Sequence, residues 1–394
     1  MNRVTENQPS RRAWADWILI AGFLVLLWAP TLDSFFNLDH SRQSGENRLP
    51  APFPQWHDAS PGESRKYLAG LDDYFSDHFG FRRQLIRWFQ NWKIGLFHDR
   101  SVYKIITGPN GWLFTAERQM VEHYLGQARF TPRELEDWRR VLEKRRDWLA
   151  ARGIKYLFVV PPDKQNIYPE ELPAWLRNAA PSVRETKLDQ FFKYMREHST
   201  VEVLDLRPPL LAAKKIAPTY LQNDTHWNLF GGFAACQDVV GTLTKQLPDL
   251  PPLRLEDFTW TNAPAIGGDL ARMLGSDAPE KNYFAFQPKP SVITPRVRAA
   301  TNGVSAWDPH KQSMISENPA PLPETAVVFH DSFGAAWQPF LGCCFKRIYF
   351  MSENREFNTR IILENRPQVV VSEILERYFN TQNPQELLTH DGLP

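Results

Sequence analysis

From residue 131 onward the chain alternates between helical stretches and short runs that are apolar across their full width. That alternation limits the fold more than any other feature. The runs are I-K-Y-L-F-V-V (154–160), V-E-V-L-D-L (201–206), A-V-V-F (326–329), R-I-Y-F (347–350) and Q-V-V-V-S-E-I (368–374). Between them, residues 131–152, 183–197, 229–247, 333–341 and 357–364 read as helices. A strand with one wet face alternates polar and apolar side chains, whereas a strand apolar on both faces must be covered on both. Strands alternating with helices therefore predict an α/β domain with a parallel sheet flanked by helices. Local signals fix some boundaries. Thr131-Pro132-Arg133-Glu134 supplies an N-cap, a proline at the first helical position and an acidic first turn, Gly153 ends that helix, and Pro161-Pro162 close the strand after it.

The rest of the chain divides around this domain. Residues 1–33 read as a cytoplasmic tip and membrane anchor, and 34–60 as a proline-bearing tether. Residues 61–130 read as a helical and strand-bearing lead-in packed on the main domain, 131–380 as the catalytic domain and 381–394 as a tail. In the lead-in, Tyr67, Leu71, Tyr74, Phe75, Phe79, Leu85, Trp88, Phe89 and Trp92 recur at spacings near three and four, which predicts a helix over 63–97 interrupted at Gly80. A strand, turn and strand come after it over 101–114. Residues 248–323 lose the rhythm and read as a proline-rich insertion with one short helix near 267–274. The 32 prolines in 394 residues make about 8%, where about 5% is usual, and they gather in tether, strand ends and insertion.

Residues 17–32 (WILIAGFLVLLWAPTL) carry no charge. As a helix they reach ~24 Å, a little short of the ~20 residues that cross a bilayer comfortably. Trp14, Trp17 and Trp28 sit near the ends, and Arg3, Arg11 and Arg12 precede them. Interfacial indoles and the positive-inside rule predict an uncleaved single-pass anchor in the inner membrane with the remaining chain in the periplasm. A cleaved signal peptide and a buried core helix are the rivals; Ala29-Pro30-Thr31 makes a poor cleavage site. A mean hydropathy of −0.44 excludes a polytopic membrane protein. A net charge of +1 supplies no global field for nucleic acid, so no nucleic-acid partner is expected. Three cysteines build neither a disulfide framework nor an all-thiolate zinc site, and Cys236, Cys343 and Cys344 read as small core residues.

In a parallel α/β sheet, ligands bind outside the carboxyl ends of the strands. Three segments fall there. V-V-F-H-D-S-F-G (327–334) ends a buried strand at Ser332 and leads into a helix, so a hydroxyl meets helix N-terminal amides. N-D-T-H-W (223–227) sets Asp224 two residues before His226, where a carboxylate fixes an imidazole tautomer. P-P-D-K-Q-N-I-Y (161–168) leads from a strand into a polar loop. A serine nucleophile needs a base within reach and a third group to orient that base. Ser332, His226 and Asp224 supply all three. The plainer alternatives are that Ser332 is a helix N-cap, that Asp224 caps a helix while His226 is a satisfied core histidine, and that Asp224, His226, His330 and Asp331 bind a metal. No H-x-x-x-H spacing supports the last, so neither a metal nor a cofactor is expected.

The combination of D-T-H-W (224–227), D-S-F (331–333) and P-P-D-K-Q-N-I-Y-P-E (161–170) resembles the SGNH-hydrolase-like alginate O-acetyltransferases, including the periplasmic J- and X-type proteins of alginate modification. Weaker matches agree at 46–50 (E-N-R-L-P), 77–82 (D-H-F-G-F-R), 108–114 (G-P-N-G-W-L-F), 268–274 (G-D-L-A-R-M-L) and 366–377 (R-P-Q-V-V-V-S-E-I-L-E-R). The resemblance runs in order over roughly 46–379. It implies an SGNH-like α/β fold with permuted catalytic blocks, in which Ser332 is the nucleophile, His226 the base and Asp224 its orienter. Two departures stand out: the usual Gly-Asp-Ser block is His330-Asp-Ser here, and the family's separate glycine and asparagine oxyanion donors have no evident counterpart. The Ser332 N–H is one expected donor. Arg360 is a candidate substrate or oxyanion ligand, or else a solvated helix arginine. Lys164 and Tyr168 are candidates for the pocket rim, or structural. Trp227 is weighed as a sugar platform against core packing.

The implied function is O-acetyl transfer through a serine acyl-enzyme to hydroxyls of an exported polysaccharide. It would be served by a membrane-bound O-acyltransferase as acetyl relay and by a polysaccharide synthase and export complex. A carbohydrate acetylesterase and a non-catalytic polysaccharide-binding or assembly subunit are the alternatives.

Overall fold

The computed structural model describes residues 11–36, 38, 51–56, 60–82, 84–85, 88, 101–102, 105–391 and 393, apart from 183, 266, 275, 277, 301–312, 323 and 353–356. Arg3, the 46–50 motif and positions 89–97 of the expected lead-in helix lie outside these residues. The chain forms two compact units, Met1–Val102 with Ala271–Asp277, and Tyr103–Leu270 with Ala278–Pro394.

In the first unit, α1 (Arg11–Phe36) contains the apolar run. Its stretch Trp14–Asp33 is long and apolar enough to cross a membrane, and Trp14, Trp17 and Trp28 on it are exposed. Near its end the buried carboxylate of Asp33 accepts the Phe81 N–H at 3.2 Å. Helix α2 (Pro61–Asp77) is capped by Ser60 and stops just short of Gly80.

In the second unit, β1 (Ile105–Thr107) and β2 (Leu113–Thr115) pair antiparallel across the 108–112 turn. Helix α3 (Pro132–Ala150) begins with a full capping box between Thr131 and Glu134, the pattern read in the sequence. Strand β3 (Lys155–Val160), helix α4 (Lys187–His198) and strand β4 (Val203–Asp205) come after it. The α4 helix starts later than its apolar pattern suggested, because a second capping box between Thr186 and Asp189 sets its first turn. Next come α5 (Leu229–Leu243), the hairpin β5 (Phe258–Asn262) with β6 (Phe284–Pro288), β7 (Arg296–Ala299), β8 (Met314–Glu317) and β9 (Thr325–His330). The chain ends through β10 (Arg347–Ser352), α6 (Thr359–Asn365), β11 (Val369–Glu373) and α7 (Pro384–His390).

The main sheet has the order β4-β3-β11-β9-β10-β8-β7. Its first five strands are parallel, as expected. The last two are antiparallel, so the parallel sheet expected is extended at one side into a mixed one. Both come from the stretch read as an insertion, where strands of four residues leave too short a pattern to see. Each parallel strand feeds two cores. Leu157, Val159, Val328, Phe350 and Val371 face α5, while Phe158, Val160, Val327, Phe329 and Val370 face α3 and α4. Burying a side chain as large as Phe158 contributes about 1.5–3 kcal/mol, so these double-faced strands hold the sheet together. Trp112, Trp138, Trp227 and Trp337 are buried in the same cores and not available as sugar contacts.

Candidate active site

Strand β9 ends at His330, and the next three residues form a tight turn. Asp331 builds it: its N–H donates to Glu373 Oε2 at 2.8 Å, its Oδ1 accepts the Phe333 N–H at 3.0 Å, and its Oδ2 accepts the Leu375 N–H at 2.8 Å. The carboxylate thus ties the turn to the end of neighbouring β11 and leaves Ser332 at the tip, half-buried. Beyond the tip the chain makes a 3-10 turn (Gly334–Trp337) and then one α-turn (Gln338–Leu341), shorter than the continuous helix expected over 333–341. Ser332 Oγ caps no helix; it lies 2.8 Å from His226 Nε2.

His226 comes from the loop between β4 and α5. Its Nδ1 is 2.7 Å from Asp224 Oδ1, which also accepts the His226 N–H at 2.9 Å. With the Nδ1 proton on the carboxylate side, Nε2 is left to accept the serine hydroxyl. Asp224 does not cap α5, which takes Asn228 as its N-cap. The His226 side chain is 31% exposed and Asp224 only 12%, so the imidazole reaches the surface while its partner stays inside. Burial disfavours the imidazolium, yet the hydrogen bond and charge of Asp224, with the charge of Asp269, outweigh it and raise the His226 pKa. Burial likewise works against the Asp224 anion, but the hydrogen bonds and charge of His226 hold its carboxyl well below the ordinary range.

Asp269 went unassigned in the sequence, although its G-D-L motif stood out. Its N–H donates to Asp224 Oδ2 at 2.8 Å, and its carboxylate accepts the N–H and hydroxyl of Thr225 at 2.7 and 2.6 Å. The approach needs glycine at 268, where a Cβ would fall 2.3 Å from Asp224 Cβ. Donor atoms of Asp224, His226 and Asp269 lie within 4.8 Å of one another; His330 and Asp331 are not among this group.

The other sequence candidates fall elsewhere. Lys164 is buried behind the loop, its ammonium donating to the carbonyls of Leu221, Gln222 and Asp224 at 3.1, 3.2 and 2.6 Å. Tyr168 is also buried, its hydroxyl accepting the Thr219 N–H at 2.8 Å and its ring stacked 4.5 Å from Trp112. Trp227 packs in the core and donates its indole N–H to the Phe333 carbonyl at 3.1 Å. Arg360 is 85% exposed on α6 and pairs with Glu364 at 2.7 Å, with no hydrogen bond to Asp224, His226 or Ser332. Sequence reading also missed the Arg377 guanidinium, buried 2.7 Å from Asp163 Oδ1, and Glu376, which accepts the Asp163 N–H. Burial, reinforced by Asp163, pushes Glu376 up to about 7.

Residues 105–322 match the family model described as "SGNH hydrolase-like domain, acetyltransferase AlgX". A probable alginate O-acetylase AlgJ of Pseudomonas syringae pv. tomato is 23% identical over 289 residues, 73% of this chain and 66% of that protein. Another, from Pseudomonas aeruginosa, is 30% identical over 147 residues, 36% of this chain and 33% of that one. The chain therefore spans two thirds or less of these relatives' own length. Among solved structures, Bacillus cereus PatB1 with a sulfonyl adduct is similar in fold, at a TM-score of 0.54 and 19% identity over 72% of this chain and 97% of that one.

Proposed function

Because this chain belongs to the SGNH hydrolase-like acetyltransferase family described by the AlgX model, we propose that it transfers acetyl groups to hydroxyls of an exported polysaccharide, with Ser332 as the acyl carrier. The observation that carries the reading is the hydrogen-bonded line Asp224–His226–Ser332 at the carboxyl edge of β9. Its spacing suits both halves of a double displacement.

In the first half, Ser332 Oγ attacks the acetyl carbonyl of the donor while His226 Nε2 takes the hydroxyl proton. The carbonyl oxygen becomes an oxyanion, for which the Ser332 N–H is the donor we assign. Collapse expels the donor's carrier, which leaves with the proton from His226, and acetyl-Ser332 remains. In the second half a sugar hydroxyl gives its proton to Nε2 and attacks the ester. The acetylated sugar departs as the proton returns to Ser332 Oγ. Asp224 stays ionised throughout and faces the imidazolium formed in each half.

The α1 helix supports a single-pass membrane anchor. Arg3, Arg11 and Arg12 ahead of it favour a cytoplasmic N-terminus and a periplasmic catalytic unit. An exported acceptor then needs acetyl groups carried across the membrane, a task for a membrane-bound O-acyltransferase working beside a polysaccharide synthase and export complex. Alginate is the polymer in the names of the relatives; for this chain the acceptor class is an exported polysaccharide.

The test is a strain producing the full-length Ser332→Ala chain. Polymer acetylation should fall to the level of a deletion strain; acetylation at the wild-type level overturns the reading. Alkaline phosphatase fused after residue 394 should be active if the orientation is as proposed.

A further inference from the structure

The base has a second carboxylate beside it. Asp269 Oδ2 lies 3.9 Å from His226 Nδ1, the same ring nitrogen that Asp224 Oδ1 meets at 2.7 Å. Asp269 also accepts both the N–H and the hydroxyl of Thr225, and the Thr225 hydroxyl itself stands 3.3 Å from Nδ1. Through its own N–H it fixes the far oxygen of Asp224. The carboxylate is thus spent on the 224–226 turn and on its own helix start at Leu270. Two buried carboxylates this close repel each other, and a positive charge forming on the ring nitrogen that both face offsets that cost.

We propose that Asp269 is a positioning residue that acts through His226: it locks the 224–226 turn and supplies a second negative charge facing the imidazolium. This rests on the reading of His226 as the base for Ser332. The charged and polar groups around the ring are Asp224 and Asp269 at Nδ1, the Thr225 and Ser332 hydroxyls, the Phe333 ring at 4.9 Å, and the buried Arg377 guanidinium, whose positive charge opposes the two carboxylates. Lys164 lies on the far side of the loop, against the Asp224 carbonyl. Burial and the Asp224 charge raise the Asp269 pKa, while His226 and Thr225 act against that. The carboxyl is therefore tuned by the imidazole it faces, and a positive ring draws it toward the anion.

The experiment titrates His226 directly, in the full-length detergent-solubilised chain with histidine labelled at Cε1, using the Ser332→Ala background so that no chemistry intervenes. The His226 resonance is assigned by its loss in His226→Asn. Asp269→Asn should lower the His226 pKa by about one unit, roughly tenfold in proton affinity. Asp269→Glu, which keeps the charge, should hold it nearer the wild-type value, and Thr225→Val, which keeps both carboxylates, should leave it within about 0.3 unit. An unchanged pKa in Asp269→Asn overturns the proposal, as does an equal shift in all three variants, which would mark loosened packing as the cause. Labelling of the chain with Ser332 intact by a fluorophosphonate tests the nucleophile separately. No labelling there, with the titration as expected, would remove the serine reading and leave Asp269 as a partner of His226.

Discussion

The ammonium of Lys164 lies 2.6 Å from the backbone carbonyl oxygen of Asp224, so the residue that orients the histidine is itself held from behind by a buried cation. The same ammonium reaches the carbonyls of Leu221 and Gln222, and from the other side the Glu280 carboxylate accepts the N–H groups of Gln222 and Asn223 at 2.9 Å each. One cation takes the carbonyls and one anion takes the amides. Lys164→Met would leave three carbonyls without their charged donor, at a cost of about 1.5–3 kcal/mol for a hydrogen bond to a charged group and more for several. Chemical denaturation should show that loss, and acetyl transfer should fall at least about tenfold as the turn loosens. Wild-type activity in a stable Lys164→Met chain would refute the bracing role.

Lys164 also predicts an alkaline signature. Burial, aided by the Arg377 charge, lowers its pKa from 10.5 to about 8 despite nearby Asp224, Asp269 and Glu280. Between those two values the unfolded chain binds more protons than the folded one, so folding stability rises with pH across about 8 to 10.5. Below pH 8 both states are protonated and this slope vanishes. Urea midpoints measured from pH 7 to 10.5 should show the rise in wild type and a flatter profile in Lys164→Met.

In the proposed mechanism His226 sets the acid limb of activity. Its raised pKa means that the neutral, proton-accepting imidazole is reached only above the usual histidine range, so kcat/KM should climb with pH through a midpoint above 6.5. Asp224→Asn removes the strongest group holding the proton and should move that midpoint down, while turnover falls on the order of 10⁴-fold, as when a triad's orienting carboxylate is neutralised. A double variant, Ser332→Ala with Asp224→Asn, should cost no more than Ser332→Ala alone, since the residues act as a unit. The raised pKa also stabilises the fold below pH 6.5, a contribution lost as pH rises through the folded-state value.

The strands that carry the site were visible in the sequence because their physics is local. Residues 154–160 are apolar on both faces and end in two prolines, and 326–332 run apolar into Asp-Ser, so the strand and the serine at its end could be read together. Strands β7 and β8 were not, because R-V-R-A and M-I-S-E are only four residues long, and their places come from pairing rather than from their own pattern: β8 pairs with β10 on one side and with β7, the edge strand, on the other. The burial of Lys164 was not legible for a related reason. A lysine after a strand is ordinarily solvated, and the carbonyls that bury this one belong to a loop nearly sixty residues away. Asp269 was hidden likewise, since its role depends on contacts 44 residues back along the chain.

Glycine positions separate close packing from spare room. Gly268 admits no side chain, because a Cβ there would meet Asp224 Cβ at 2.3 Å and the Asn223 carbonyl at 2.7 Å. Gly268→Ala must push the 223–224 backbone aside and should abolish acetyl transfer even where the chain still folds. Gly241, inside α5, has nothing within 4 Å of its would-be Cβ. Gly241→Ala should stabilise the helix by about 0.5–1 kcal/mol with transfer unchanged. Thermal melts and transfer assays on the pair check both, and a fully active Gly268→Ala would contradict the close approach.

The last helix is a structural part of the domain rather than a loose tail, and a buried ion pair joins it. Arg145 on α3 meets Asp391, just past α7, through two parallel contacts of 2.7 and 2.9 Å, with both side chains at most 3% exposed. Nearby, Gln385 donates to Asp137 at 3.0 Å, so α7 is fastened to α3 at two points. Asp391→Ala strands a buried guanidinium and should cost about 3–5 kcal/mol, the size expected when one partner of a buried pair is removed. Replacing both, with Arg145→Met and Asp391→Leu, removes the uncompensated charge and should recover most of that loss. Denaturation of the single and double variants decides the matter: a double variant no more stable than Asp391→Ala would mean that packing of α7, and not the charge left behind, is what the pair protects.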